Sequence, residues 1–130
     1  MPGEKQRYIK LQVYVQKKDG ISDEEFHKHW ANIHGDECKK IPEFNKYVKR
    51  YQQFHQTPED RELAKTVLGD ETLPYDGCAE FWIENLEDFK KFRSCPGFKT
   101  IAMADAAHFI GAAPVCMVGY EWLQHGPSTF

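Results

Sequence analysis

The sequence predicts an α+β fold of the ferredoxin-like kind, with elements in the order βαββαβ. Three observations carry this expectation. Four separate stretches read as strands, the first and third by the alternation of their residues. Two stretches with helical spacing divide them in the order strand, helix, strand, strand, helix, strand. The 130 residues suffice for one domain with a single core, taken to span about residues 8–124.

In the first strand, Ile9, Leu11, Val13 and Val15 alternate with Tyr8, Lys10, Gln12, Tyr14 and Gln16, and Lys18-Asp19-Gly20 breaks the pattern. Ser22 with Glu25 three residues on is a capping box that opens a helix. Phe26, Trp30 and Ile33 share one stripe of that helix, and Gly35 and Pro42 close the region. A long second strand is expected from Phe44 to His55. Thr57-Pro58 pairs an N-cap with a first-turn proline, so Pro58 to Leu68 is expected as a short charged helix stopped by Gly69. The third strand alternates Ala79, Phe81 and Ile83 with Cys78, Glu80 and Trp82. Leu86 to Arg93 is a helical turn or two, broken at Cys95-Pro96-Gly97, and Phe98 to Ile110 is the second helix. Val115 to Leu123 is the fourth strand, and His125 to Phe130 a loose tail.

With both helices on one sheet face, Tyr8, Tyr14 and Trp82 would stand on the other. An aromatic face of that size asks for cover. The economical cover is the same face of a second copy, giving a homodimer in which two sheets close into a dimeric α/β barrel.

A net charge of −3, with no basic stripe among the aromatics, argues against nucleic acid as a partner. No apolar run is long enough for a membrane span, and the charged first eighteen residues lack a secretory signal. Cys38, Cys78, Cys95 and Cys116 form no CxxC pair, so they are expected as reduced thiols of a cytoplasmic protein, with no metal site.

The most chemically suggestive residues are histidines. Four of the six lie between Phe26 and His55, and histidine is the side chain that titrates near neutrality unaided. His55 ends a strand face that reads Tyr47, Lys49, Tyr51, Gln53, His55. His34 follows Trp30 by one helical turn, whereas His27 and His29 fall on other parts of the helix and are expected in solvent. Asp105 sits within the apolar face Phe98, Ile101, Ala102, His108, Phe109, where a carboxylate must find a partner or stay protonated.

These residues also carry a family resemblance. Lys17 to Trp30 followed by His34 resembles the opening of EthD-type proteins of the dimeric α/β barrel superfamily. Tyr51-x-Gln53-x-His55 is similar to that family's strand ending, Tyr75 to Trp82 to its third-strand motif, and Asp105 with His108-Phe109 to its last helix. The resemblance spans roughly Ile9 to Leu123. It implies a small, cofactor-free homodimer with one cavity per subunit between helices and sheet. Fungal members accompany aromatic polyketide synthases and act as decarboxylases, dehydratases or cyclases. The chain departs from the pattern at His34-Gly35-Asp36, where many members have His-x-Pro. Phe92 and Phe98 stand where cyclase relatives place a catalytic tyrosine and histidine, which argues against that cyclase mechanism.

The expected function is a cofactor-independent lyase that decarboxylates or dehydrates an aromatic polyketide-type acid or alcohol. His55 is the expected acid/base, Asp105 orients it, Tyr51 binds a phenolate or carboxylate oxygen, and His34 is a second catalytic candidate. Phe26, Trp30, Tyr47, Phe81 and His108 are the expected substrate contacts. Two alternatives stay open at this point: a cyclase, isomerase or cofactor-free anthrone-type oxygenase, and a non-catalytic carrier of an aromatic ligand.

Overall fold

The computed structural model describes residues 2–128. Four strands, β1 (Glu4–Val15), β2 (Val48–His55), β3 (Gly77–Ile83) and β4 (Val115–Leu123), form one antiparallel sheet in the order β2-β3-β1-β4. This is the ferredoxin-like α+β arrangement, and in one chain the sheet is open. No helix among the described residues is long and apolar enough to cross a membrane.

The helices cover one face. Ser22 caps α1 (Asp23–His29) by accepting from the backbone N–H of Glu25. The chain then widens into a π-helical turn, Trp30–His34, and tightens again into α2 (Gly35–Cys38). A short α3 (Pro42–Tyr47) leads into β2, and α4 (Pro58–Leu63), extended by a π-helical turn Ala64–Leu68, forms an insertion. Thr57 and Asp60 close a reciprocal capping box there, and Gly69 ends it in the left-handed region at φ 73°. Past β3 come α5 (Leu86–Ser94), capped by Asn85, a π-helical segment Phe98–Met103 and α6 (Ala104–Ala106). Thr129 and Phe130 of the expected loose tail lie outside the described residues.

The core lies between helices and sheet in two adjoining clusters. Leu11, Ile41, Phe44, Val48, Ile83, Phe89 and Phe92 fill the larger, and Val15, Phe26, Trp30 and Phe109 the smaller. Burial of these side chains from water is the main force holding the layers together.

Three sequence expectations need correction. The second strand starts at Val48, not Phe44, because Pro42 takes the first position of a helix, where its missing N–H costs nothing. Tyr47 therefore ends α3, off the strand face, half-buried between Lys46 and Lys91 at 5.2 and 5.7 Å. Lys49 is also out of register: β2 bulges between Val48 and Arg50, so of the expected face Tyr51, Gln53 and His55 remain on the helix side. The second helix ends its regular structure at Ala106 rather than Ile110, in a turn.

The opposite face is not a bare aromatic surface. Trp82 is 1% exposed, flanked by Lys10 and Arg50 at 4.9 and 5.0 Å, and its indole donates to Glu121 at 2.6 Å. Beside it Glu80, 3% exposed, accepts from Gln52, Gln12 and Lys10 at 2.7, 2.8 and 2.9 Å. Long polar side chains thus cover Trp82, and Tyr8 and Tyr14 are half-buried.

Candidate active site

The predicted catalytic residues fall into two clusters rather than one. The first lies on the helix-side face at the end of β2. Cross-strand pairing sets Tyr51 against Phe81, Gln53 against Ala79 and His55 against Gly77. The Gln53 amide nitrogen donates to the Tyr51 hydroxyl at 2.9 Å and to the Trp30 backbone carbonyl at 2.8 Å. The Gln53 amide oxygen lies 2.8 Å from Nε2 of His55. Nδ1 of His55 lies 2.6 Å from Nδ1 of His27, and the Trp30 ring packs against the His55 ring at 4.3 Å, tilted by 37°. Both nitrogens of His55 are thus engaged within the chain.

A cleft of about 490 Å³ opens onto this face, within the range of small-molecule sites. Gly35 and Asp36 of α2, Lys39 at its C-cap, Phe44 and Asn45 of α3, and β2 from Val48 to Gln53 line it, together with His55. Lys39 is held by Asp36 at 2.9 Å, and Arg50 bonds Gln52 at 3.0 Å. Lys49, thrown outward by the bulge, makes no hydrogen bond or ion pair among the described residues.

Environment sets the proton states. Burial, then the neighbouring His27, pushes His55 down to about 4, so it is a neutral imidazole at neutral pH. Burial pushes the Tyr51 hydroxyl up to about 12 against hydrogen bonds from the Gln53 and Trp30 side chains, so it keeps its proton. No acceptor within the described residues takes that proton.

The second cluster centres on Asp105. Its carboxylate accepts from His34 Nδ1 at 2.7 Å and from His29 Nε2 at 3.0 Å, and Nε2 of His34 faces the Cys38 thiol at 3.6 Å. Burial works to raise the Asp105 carboxyl, but the two histidine hydrogen bonds outweigh it and leave it below the usual range. Burial lowers His34 despite Asp105. Burial, Asp105 and Glu37 push the Cys38 thiol up to about 12, so it is no nucleophile. Among the described residues no group of three His, Cys, Asp or Glu side chains is disposed to hold a metal ion.

Asp105 therefore does not orient His55, as the sequence suggested; it orients His34 and His29. The π-helical turn explains this. Its wider turn brings residues five apart onto one face, so His29 joins His34 while Ile33 turns outward, 46% exposed. His27 and His29, expected in solvent, are each in one of the two clusters. Of the expected substrate contacts, Phe26 is fully buried among Trp30 and Phe109, and Trp30 and Phe81 lie behind His55 and Tyr51. His108 is exposed on the turn after α6, and neither it nor Tyr47 lines the cleft.

The family described as EthD domain matches residues 18–113. Decarboxylase claH of Passalora fulva is 29% identical over 107 residues, covering 79% of this chain and 68% of that protein. A crystal structure of an ethyl tert-butyl ether D (EthD) family protein from Bacillus halodurans aligns with TM-score 0.58 at 17% identity, over 88% of this chain and 98% of that one. A dimeric protein of unknown function and ferredoxin-like fold from Bacteroides fragilis aligns with TM-score 0.58 at 16% identity, over 88% and 96%.

Proposed function

Since the chain belongs to the EthD domain family, we propose that it is a lyase removing CO2 from an aromatic polyketide-type acid with a carbonyl or phenol oxygen β to the carboxylate. One observation carries the reading. Tyr51 lines a cleft of suitable size with its hydroxyl proton given to no acceptor among the described residues, and Lys49, on the same cleft, has no bonded partner among them. The fungal relative named as a decarboxylase supports the same class of reaction.

The chemistry asks little of the protein. In a β-keto acid the C–COO⁻ bond breaks, its electron pair moves to the β-carbonyl oxygen, CO2 leaves, and the enolate carbon takes a proton from water. An ortho-hydroxy acid first shifts its phenol proton to the ring carbon bearing the carboxylate. Loss of CO2 from that keto form leaves the phenolate, which takes a proton from water on oxygen. No cofactor is needed, because the substrate's own carbonyl receives the electrons. The Tyr51 hydroxyl donates a hydrogen bond to that oxygen as negative charge develops on it. The Lys49 ammonium draws the anionic substrate into the cleft. His55, neutral and occupied at both nitrogens, supports Tyr51 from behind rather than passing a proton itself. His34 and Asp105 brace the helix layer that carries Gly35 and Lys39. The working form is a homodimer.

The test is direct. Purified protein is incubated with ortho-hydroxy aryl and aryl β-keto carboxylic acids, and products are weighed by mass spectrometry. Loss of CO2 is expected, with Tyr51→Phe lowering kcat about 10²-fold. Loss of water instead, or a Tyr51→Phe variant as fast as wild type, would sink the reading.

A further inference from the structure

The polar chain behind Tyr51 has a direction, and the backbone sets it. The Trp30 carbonyl can only accept, so the Gln53 atom 2.8 Å from it is the amide nitrogen. Both hydrogens of that nitrogen are then used, one on Trp30 and one on the Tyr51 oxygen. The amide oxygen faces Nε2 of His55 at 2.8 Å, so that nitrogen must carry the proton. A neutral His55 then has a bare Nδ1, and the 2.6 Å contact requires Nδ1 of His27 to donate to it. Nε2 of His27 is left bare. It is buried and has no partner among the described residues, which suits a lone pair better than an N–H. The opposite direction fails twice: it sets the lone pair of His55 Nε2 against the Gln53 oxygen, and it buries an unpaired N–H on His27.

We propose that His27, His55 and Gln53 are positioning residues, a one-way hydrogen-bond chain that fills the inward side of the Tyr51 oxygen and aims its proton into the cleft. The ligand class this fits is a neutral carbonyl or phenol oxygen that accepts, not an ammonium or hydroxyl that must donate. The inference rests on the role of Tyr51 given above and adds the reason that the hydroxyl is a donor there.

Two measurements test it. The first needs no ligand: long-range 1H–15N correlation spectra of the full chain, labelled with 15N-histidine, near pH 7.5. The expected result is His55 protonated on Nε2 alone and His27 on Nδ1 alone. The reverse tautomers, or a doubly protonated His55, would overturn the chain whatever the ligand does. The second titrates 2′-hydroxyacetophenone, a neutral aryl ketone, against wild type, Tyr51→Phe, Gln53→Glu and the double variant. A glutamate at 53 cannot donate, so the Tyr51 proton turns inward to it. Tyr51→Phe and Gln53→Glu are each expected to weaken binding about five- to tenfold, the worth of one hydrogen bond, and the double variant no further. Wild-type affinity in Gln53→Glu, with a well-dispersed spectrum, would overturn the positioning role. Expected tautomers with no ketone binding by wild type would instead overturn the assigned role of Tyr51, and with it the aim of the chain.

Discussion

His55 holds opposite proton states in the folded and unfolded chain over a defined range of pH. Unfolded, it protonates near the ordinary 6.5; folded, it stays neutral down to about 4. Its folded value is depressed, so the stability it contributes is complete above about pH 6.5 and is lost as pH falls to about 4. Wild type should therefore weaken in urea unfolding between pH 7.5 and 5, and His55→Gln should flatten that dependence. A slope unchanged in the variant would place the acid sensitivity elsewhere. Asp105→Asn exchanges a carboxylate shared by two histidines for an amide. It should cost about 2 kcal/mol in the same assay, typical for hydrogen bonds to a charged group, while kcat falls less than the loss of Tyr51 causes. The separate parts of the site were legible in the sequence: Tyr51, Gln53 and His55 alternate on a strand, and Asp105 interrupts an apolar helix face. Which histidine meets which partner was not. Helical spacing at 3.6 residues per turn sends His27 and His29 to solvent, and nothing in composition announces a π-helical turn.

At the scale of elements, the bulge in β2 and the start of β3 set the site. The bulge removes one residue from the alternation and so turns Tyr51 toward the helices. Gly77 opens β3 under the Trp30 ring. A Cβ there would lie 2.7 Å from Cζ3 of Trp30 and would also collide with the Phe54 carbonyl. Backbone cannot retreat as a flexible side chain can, so Gly77→Ala should destabilise by about 2 kcal/mol. It should also displace Trp30 from the His55 ring, visible as a shift in tryptophan fluorescence. Alternation made β1 and β3 readable, and the Ser22 and Thr57 caps made two helix starts readable. The error at Phe44 to Tyr47 has a plain cause. Their apolar and aromatic residues suit a strand as well as a helix, and the decisive signal was Pro42 just before them, which opens α3 rather than closing the preceding region.

For the whole molecule, the unshielded part is β4. It lies at the sheet edge beyond the reach of the helices, with Val118, Tyr120 and Trp122 exposed on one face and Val115 and Met117 on the other. A nine-residue edge strand this apolar invites another chain. In the homodimer proposed above, a second copy packing on the open face would cover Val115, Met117 and Phe54, the last 61% exposed; a structural neighbour of ferredoxin-like fold is described as dimeric. Light scattering should find a dimer, and Met117→Lys should shift it to monomer with the cleft intact; a dimer unmoved by that change would place the interface elsewhere. The same strand has a consequence for synthesis. β1 pairs with β3 on one side and with β4 on the other, joining Glu4 to Leu123. Until the ribosome has delivered residue 123, one edge of β1 stays unpaired, and closure must then span nearly the whole chain. Such non-local pairing is slow, so the nascent protein should lean on chaperones until its last strand emerges.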